Sequence, residues 1–215
     1  RQMEAERQNT AAVMMLDSGK TAAEADPEIS EAIDFARYYG LSARANISGS
    51  DSTPVGVVAV IPPWNFPYAI PCGGVCAALA AGNAVILKPA PETVATAWML
   101  VQQLWAAGVP KAEMFTQWRP DIRLLAETSG KNALLIAGSA DIDAAVKDLV
   151  SSAFGHAGQK CSAASLAIVE ETIYDNPAFM RQLKDAVETL NIGPGWDYST
   201  VVGPVIRPPE GALWR

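Results

Sequence analysis

The stretch HAGQKCSAAS, residues 156–165, places the only histidine of the chain five residues before a cysteine set among small side chains. A thiolate at Cys161 would be a strong nucleophile toward a carbonyl carbon, and His156 is one candidate for its base. Three other polar residues interrupt apolar or proline-rich surroundings. Asn65 stands between aromatics and prolines in PPWNFP, Lys88 ends the run AVIL, and Glu127 follows IRLLA.

Singly, each has an ordinary explanation. A lysine ending a strand is usually solvated, and an asparagine in a proline-rich turn usually caps that turn. A glutamate before Thr-Ser-Gly can cap a helix, and a lone cysteine usually fills apolar space. Together the four supply complementary chemistry. Cys161 would be the nucleophile, Asn65 an amide donor to an oxyanion, Glu127 a base for water, and Lys88 a cation for hydroxyls or phosphate. That set performs acyl chemistry on a carbonyl. His156 is the weaker candidate base, because nothing near it in sequence would fix its tautomer, and a cysteine–histidine pair normally needs a third, orienting group.

The elements that must position these residues alternate. Residues 2–16 have the pattern of an amphipathic helix. A second helix is expected from Asp26 as N-cap, with Pro27 at its first position, to near Gly40. After a polar segment, VGVVAVI has the short, valine-rich pattern of a strand buried on both faces. A helix ending at Gly82, the strand AVIL and a helix over 91–108 follow. IRLLAE and ALLIA are expected strands, 141–154 a helix, SAASLAIVE a strand and 177–190 a helix. This order implies an α/β fold built on a doubly wound parallel sheet, whose ligands sit at the carboxyl ends of the strands.

Composition narrows the function. Of 215 residues half are hydrophobic, and the net charge of −7 with no basic cluster argues against nucleic-acid partners. The longest apolar runs are too short to cross a bilayer, and the polar start is not a signal peptide. Three cysteines without framework spacing fit a reducing, cytoplasmic compartment. Cys72 and Cys76 share one helix face, but a single histidine supplies a zinc site poorly, so no metal is expected and the pair is expected to be buried filler. The chain opens on Arg1 and closes on Arg215, which suggests a piece of something larger.

PPWNFP, AAGNAVILKPAPET, ETSGKN and GHAGQKCSAASLAIVE, in this order, resemble the aldehyde dehydrogenase superfamily. More narrowly they resemble its L-glutamate γ-semialdehyde (1-pyrroline-5-carboxylate) dehydrogenase module of bacterial proline utilization A, as do ADPEISEAIDFARYYG and VVGPVIRPPEG. The resemblance implies a Rossmann-like NAD domain over residues 1–133 and part of an α/β catalytic domain over 134–215. It implies that Cys161 attacks the aldehyde, that Asn65 and the backbone N–H of Cys161 hold the oxyanion, and that Glu127 activates water against the thioester. NAD would lie along Ile61, Pro62, Pro63, Trp64, Lys88, Ala90, Pro91 and Ser129, with Phe66 and Ser162 toward the substrate. The acidic ribose partner of the family falls at Pro91 here, with Glu92 one residue on. The implied partners are a small aldehyde, a fused or paired proline dehydrogenase domain and further copies of the same chain.

Three departures stand beside the resemblance. KAEMFTQWRP joins two segments that the family separates by several tens of residues, so a break falls near Phe115 and Thr116. The missing part carries the helix N-terminus that normally faces the NAD pyrophosphate. The chain stops after GPVIRPPEG, before the family's nicotinamide-ribose glutamate, and the oligomerisation hairpin is not evident between Ala45 and Val55. Two further functions therefore stay open: a non-catalytic remnant that keeps the fold for assembly or ligand binding, and a cofactor-free thiol esterase using Cys161 and Glu127.

Overall fold

The computed structural model describes residues 1–47, 49, 51–110 and 132–207. The chain forms two compact units, one of Arg1–Ser18 with Ala22–Thr128, the other of Gly19–Thr21 with Ser129–Arg215.

In the first unit, helices α1 (Gln2–Ala5), α2 (Arg7–Ser18) and α3 (Ala22–Asn46) precede a β–α–β passage of β1 (Val57–Val60), α4 (Ala69–Ala80) and β2 (Ala84–Leu87), and α5 (Val94–Ala106) follows. β1 and β2 pair in parallel, Val57 opposite Ala84 and Val60 opposite Leu87. Parallel neighbours cannot be joined by a tight turn, and α4 is the crossover between them. It lies close on β1 because Gly74 has no side chain: a Cβ there would stand 2.9 Å from Val60 Cγ1. Ala25, Ile29, Ala32 and Ile33 make one stripe of α3 and pack with Met14, Ala69, Cys72 and Leu100 into the core.

Two expectations for the second helix are corrected. It begins at Ala22, so Pro27 lies inside it and Asp26 is not its N-cap. Ala22, Ala23, Glu24 and Ala25 are strong helix formers, and burying Ala25 completely favours extending the helix backwards despite the hydrogen bond that Pro27 removes. Asp26 instead receives the Arg7 guanidinium, Nη1 to Oδ1 2.6 Å. The helix also runs through Gly40 to Asn46. A glycine there costs about 1 kcal/mol relative to alanine, too little to stop a helix that continues into Leu41, Ala43, Arg44 and Ala45. The first expected helix is divided at Glu6 and reaches Ser18.

The second unit contains β3 (Asn132–Ile136), α6 (Ile142–Phe154), β4 (Ala164–Val169), α7 (Glu171–Tyr174) and α8 (Pro177–Glu188). β3 and β4 are parallel, with an irregularity between Asn132 and Ala133. Ile136, Val146, Leu149, Val150, Ile173 and Phe179 form the buried core, with Leu134, Ala167 and Val169 packed against it. Both long helices carry local caps. The Asp141 carboxylate accepts from the Ala144 N–H at 2.8 Å, and the Asn176 side chain accepts from the Ala178 N–H at 2.9 Å with Pro177 in the first turn. Gly19–Thr21 packs against the loop after α8, with Lys20 and Thr21 buried. A Cβ on Gly195 would stand 2.5 Å from the Lys20 carbonyl oxygen, and one on Gly203 2.7 Å from that of Gly19. The expected strand IRLLAE lies outside the described residues.

Candidate functional site

The first unit places two of the predicted residues through its strand pair. β1 and β2 end side by side, and the Lys88 N–H donates to the Val60 carbonyl at 2.9 Å, so Lys88 emerges next to Ile61. The carboxyl ends of these strands thus bring together the stretch Ile61–Pro67, which carries Trp64, Asn65 and Phe66, and the stretch Lys88–Pro91. Lys88, Ile61 and Pro91 are exposed; Trp64, Asn65 and Phe66 are half-buried; Pro62 and Ala90 are buried. This is where a parallel sheet binds ligands. Asn83 fixes the other end of the pair, its Oδ1 accepting from the Gly56 N–H at 3.0 Å and its Nδ2 donating to the Ala78 carbonyl at 3.1 Å.

The loop carrying Asn65 runs into α4, whose first turn has no cap of its own from Tyr68. Glu28 of α3 supplies one. Its Oε1 accepts from the Tyr68 N–H at 2.8 Å and the Ala69 N–H at 3.0 Å, and the side chain is buried with its residue only 2% exposed. The Tyr68 hydroxyl and Gln103 Oε1 are hydrogen-bonded, and Gln103 Nε2 donates to Thr10 Oγ1 at 2.8 Å. Burial, with the neighbouring Cys72 thiol, pushes the Tyr68 phenol up, which keeps it a neutral donor. Asp17 of α2 treats α5 in the same way, its Oδ2 accepting from Thr96 N–H at 2.7 Å and Thr96 Oγ1 at 2.9 Å. A helix N-terminus is the usual seat for phosphate, and both of these are filled by the protein's own carboxylates.

Cys161 belongs to the second unit, in the turn between the Gly155–Gly158 helical turn and β4, and is exposed together with Ser162. The approach to it is strained. His156 and Ala157 have φ of 51° and 54°, followed by Gly158 at 73°. Left-handed backbone costs a non-glycine residue roughly 1–2 kcal/mol, and such conformations concentrate at functional turns. Gln159 holds the turn in place. Its Nε2 donates to the His156 carbonyl at 3.0 Å and the Pro204 carbonyl at 3.3 Å, while its Oε1 accepts from the Ile206 N–H at 2.8 Å. The Cys161 carbonyl accepts from Asn132 Nδ2 of β3. His156 is buried, 1% exposed, while Cys161 faces solvent, so the imidazole belongs to the packing of the turn. Glu127 and Ser129 lie outside the described residues.

Sequence reasoning missed Glu28 and Gln159. The signal for Glu28 was a carboxylate inside the apolar stripe of α3. No local pattern marked Gln159, whose partners stand about as far along the chain as Pro204 and Ile206.

Cys72 and Cys76 have their sulfurs 3.8 Å apart on α4, and Cys72 also faces the Ala32 carbonyl at 3.5 Å. The contact with Cys76, then burial, pushes the Cys72 thiol up; the same contact draws Cys76 down. Among the described residues no group of three or more acidic, histidine or cysteine side chains could hold a metal. With limiting iodoacetamide, Cys161 is expected to be alkylated first and Cys72 only on unfolding, read by mass mapping of the labelled peptides. Labelling of Cys72 ahead of Cys161 would remove Cys161 as the accessible nucleophile.

The chain is similar to known proteins over most of its length. The aldehyde dehydrogenase family profile matches residues 1–116 and 112–212, two segments that meet beside Phe115 and Thr116. A 1-pyrroline-5-carboxylate dehydrogenase of Geobacillus thermodenitrificans (strain NG80-2) is 33% identical over 251 residues, covering 90% of this chain and 48% of the relative. That aligned length exceeds the 215 residues of this chain, so the relative carries residues within it that this chain lacks. Proline Utilization A (PutA) from Corynebacterium freiburgense superposes with a TM-score of 0.86 at 43% identity, covering 96% of this chain and 25% of that one. A 1-pyrroline-5-carboxylate dehydrogenase from Thermus with bound NAD superposes with a TM-score of 0.82 at 26% identity, covering 96% and 50%. The chain thus spans about half the length of the first curated relatives it matches. No helix among the described residues is long and apolar enough to cross a membrane. With the family profile extending over nearly its whole length, the chain belongs to the aldehyde dehydrogenase family.

Proposed function

We propose that this chain carries the cofactor-facing strands and the nucleophile of an NAD-dependent dehydrogenase that oxidises L-glutamate γ-semialdehyde to L-glutamate. The observation that carries the reading is the exposed Cys161 at the end of a strained, stapled turn, in a chain similar to proteins named 1-pyrroline-5-carboxylate dehydrogenase. The Cys161 thiolate adds to the aldehyde carbon, and the carbonyl oxygen becomes an oxyanion. The Asn65 amide and the Cys161 N–H are the donors assigned to it. NAD, which Ile61, Trp64, Lys88 and Pro91 would hold, would supply the acceptor for the hydride leaving this carbon, so that the adduct on Cys161 would become a thioester. Glu127 takes a proton from water, which attacks the thioester; the carboxylate product leaves and the thiol is restored.

The fit to NAD is partial. Of the residues assigned to the cofactor, Ile61, Lys88 and Pro91 are exposed at the strand ends and Pro63 and Trp64 half-buried, whereas Pro62 and Ala90 are buried; the exposed Lys88 suits a ribose hydroxyl, and Ser129 is assigned to the same cleft. The helix N-terminus that the resemblance assigns to the pyrophosphate falls in the segment this chain lacks beside Phe115 and Thr116, and those of α4 and α5, filled by Glu28 and Asp17, offer no replacement. That last observation favours a second reading, a family member that keeps the fold without turnover. Fusion to, or pairing with, a proline dehydrogenase domain is part of the first reading, because PutA proteins are among the similar structures.

The experiment is NADH formation, followed by its absorbance, when the protein bearing this chain is mixed with NAD and glutamate semialdehyde. Turnover that requires Cys161 is expected. Intact cofactor-free esterase activity with no NADH would favour the thiol esterase, and silence in both assays the remnant.

A further inference from the structure

We propose that Glu28 is a positioning residue for Asn65, holding the oxyanion-donor loop through the first turn of α4. The inference rests on the reading of Asn65 given above. Glu28 lies on α3, forty residues before its partner Tyr68, and is nearly inaccessible to water. A carboxylate buried among Ala25, Ile29 and Ala32 is costly unless its charge is compensated. Here one oxygen receives two adjacent backbone N–H groups at 2.8 and 3.0 Å, at the positive end of a twelve-residue helix.

These two N–H groups belong to the residues where the Asn65 loop becomes α4. Only Phe66 and Pro67 separate Asn65 from Tyr68. Proline fixes its own φ and restricts the residue before it, so this connection has little freedom. Pro67, Tyr68 and Ala69 are all buried, and the Tyr68 ring is tied through Gln103 to Thr10 of α2. The corner is therefore gripped from its backbone by α3 and from its side chain by α5 and α2. Removing the backbone grip leaves two buried N–H groups without their acceptor. The cheapest relief is for the turn to unwind toward Asn65. A donor displaced by about 1 Å no longer meets the oxyanion at hydrogen-bond distance.

The test is a double-mutant cycle on the rate of the first NADH burst in the enzyme bearing this chain, using E28A, N65A and the double variant, with E28Q as the conservative control. E28A is expected to slow the burst by roughly tenfold to a hundredfold, within the loss seen on deleting an oxyanion donor outright, and to leave the Michaelis constant for NAD unchanged. In the N65A background E28A should cost little more. E28Q, whose amide oxygen can accept both N–H groups, should restore most of the rate. Hydrogen exchange gives a readout independent of turnover: amides of residues 66–72 should lose protection in E28A and regain it in E28Q. Should E28A not fold, E28D keeps the charge, withdraws the oxygen by one methylene and carries the same expectation. Additive losses in the cycle, or unchanged exchange over 66–72, would overturn the role of Glu28. An unchanged burst in N65A would instead overturn the oxyanion reading itself, and with it any catalytic effect of Glu28.

Discussion

Glu127→Gln should release one equivalent of NADH per site and then stall. If Glu127 serves only to activate water against the thioester, the substitution leaves the thiol attack and hydride transfer intact, because glutamine matches glutamate in shape and lacks only the basic oxygen. General-base contributions run to roughly a hundredfold to ten-thousandfold, so steady-state turnover should fall by that order. The acyl group should remain on Cys161 and add its mass to the peptide containing that residue. His156→Asn should leave both phases nearly unchanged in rate per folded site, since the imidazole is buried in the turn. A lost burst in the histidine variant, with an indifferent Glu127→Gln, would move the base to His156.

Asn65→Ala should act on the opposite phase. Loss of one oxyanion donor costs roughly a hundredfold to a thousandfold, and here the loss falls on the step that forms the tetrahedral adduct. The burst itself should therefore slow, with no acyl-enzyme accumulating and the Michaelis constant for NAD little altered. Pre-steady-state mixing separates the two variants: Glu127→Gln gives a fast burst and a flat line, Asn65→Ala a slow line with no burst. Thioester accumulation in Asn65→Ala would remove Asn65 from the attack step.

The four described strands were readable in the sequence as short apolar runs punctuated by turn residues, but their exposure was not: β1, expected buried on both faces, is half-buried, and β2 exposes Ile86. Lys88 stood out as a polar residue directly after such a run, and Asn65 as one inside the proline-rich turn that follows another. The α6 and α8 starts were readable because Asp141 and Asn176 cap their own helices. The start of α3 was misread because Asp-Pro is a local cap signal, and the distant burial of Ala25 overrode it. The caps of α4 and α5 were not readable at all. Tyr68 and Thr93 stand at their N-cap positions without capping side chains, and the carboxylates that serve them come from α3 and α2. Such long-range compensation leaves no periodic trace. Cys161 stood out by its small neighbours, but its exposure and the left-handed turn before it required the coordinates.

The packing of Gly19–Thr21 against Gly195 and Gly203 sets a timetable for the newborn chain. One side of that contact leaves the ribosome well before the other. At roughly 5–20 residues per second, the early side waits on the order of ten seconds or longer for its counterpart. The first unit can collect its helices during that interval, while the second is held open at the seam where Lys20 will be enclosed. Contacts so remote along the chain are also the slowest to find one another after denaturation. Vectorial synthesis therefore favours an order, first unit then second, that refolding from the denatured chain does not impose.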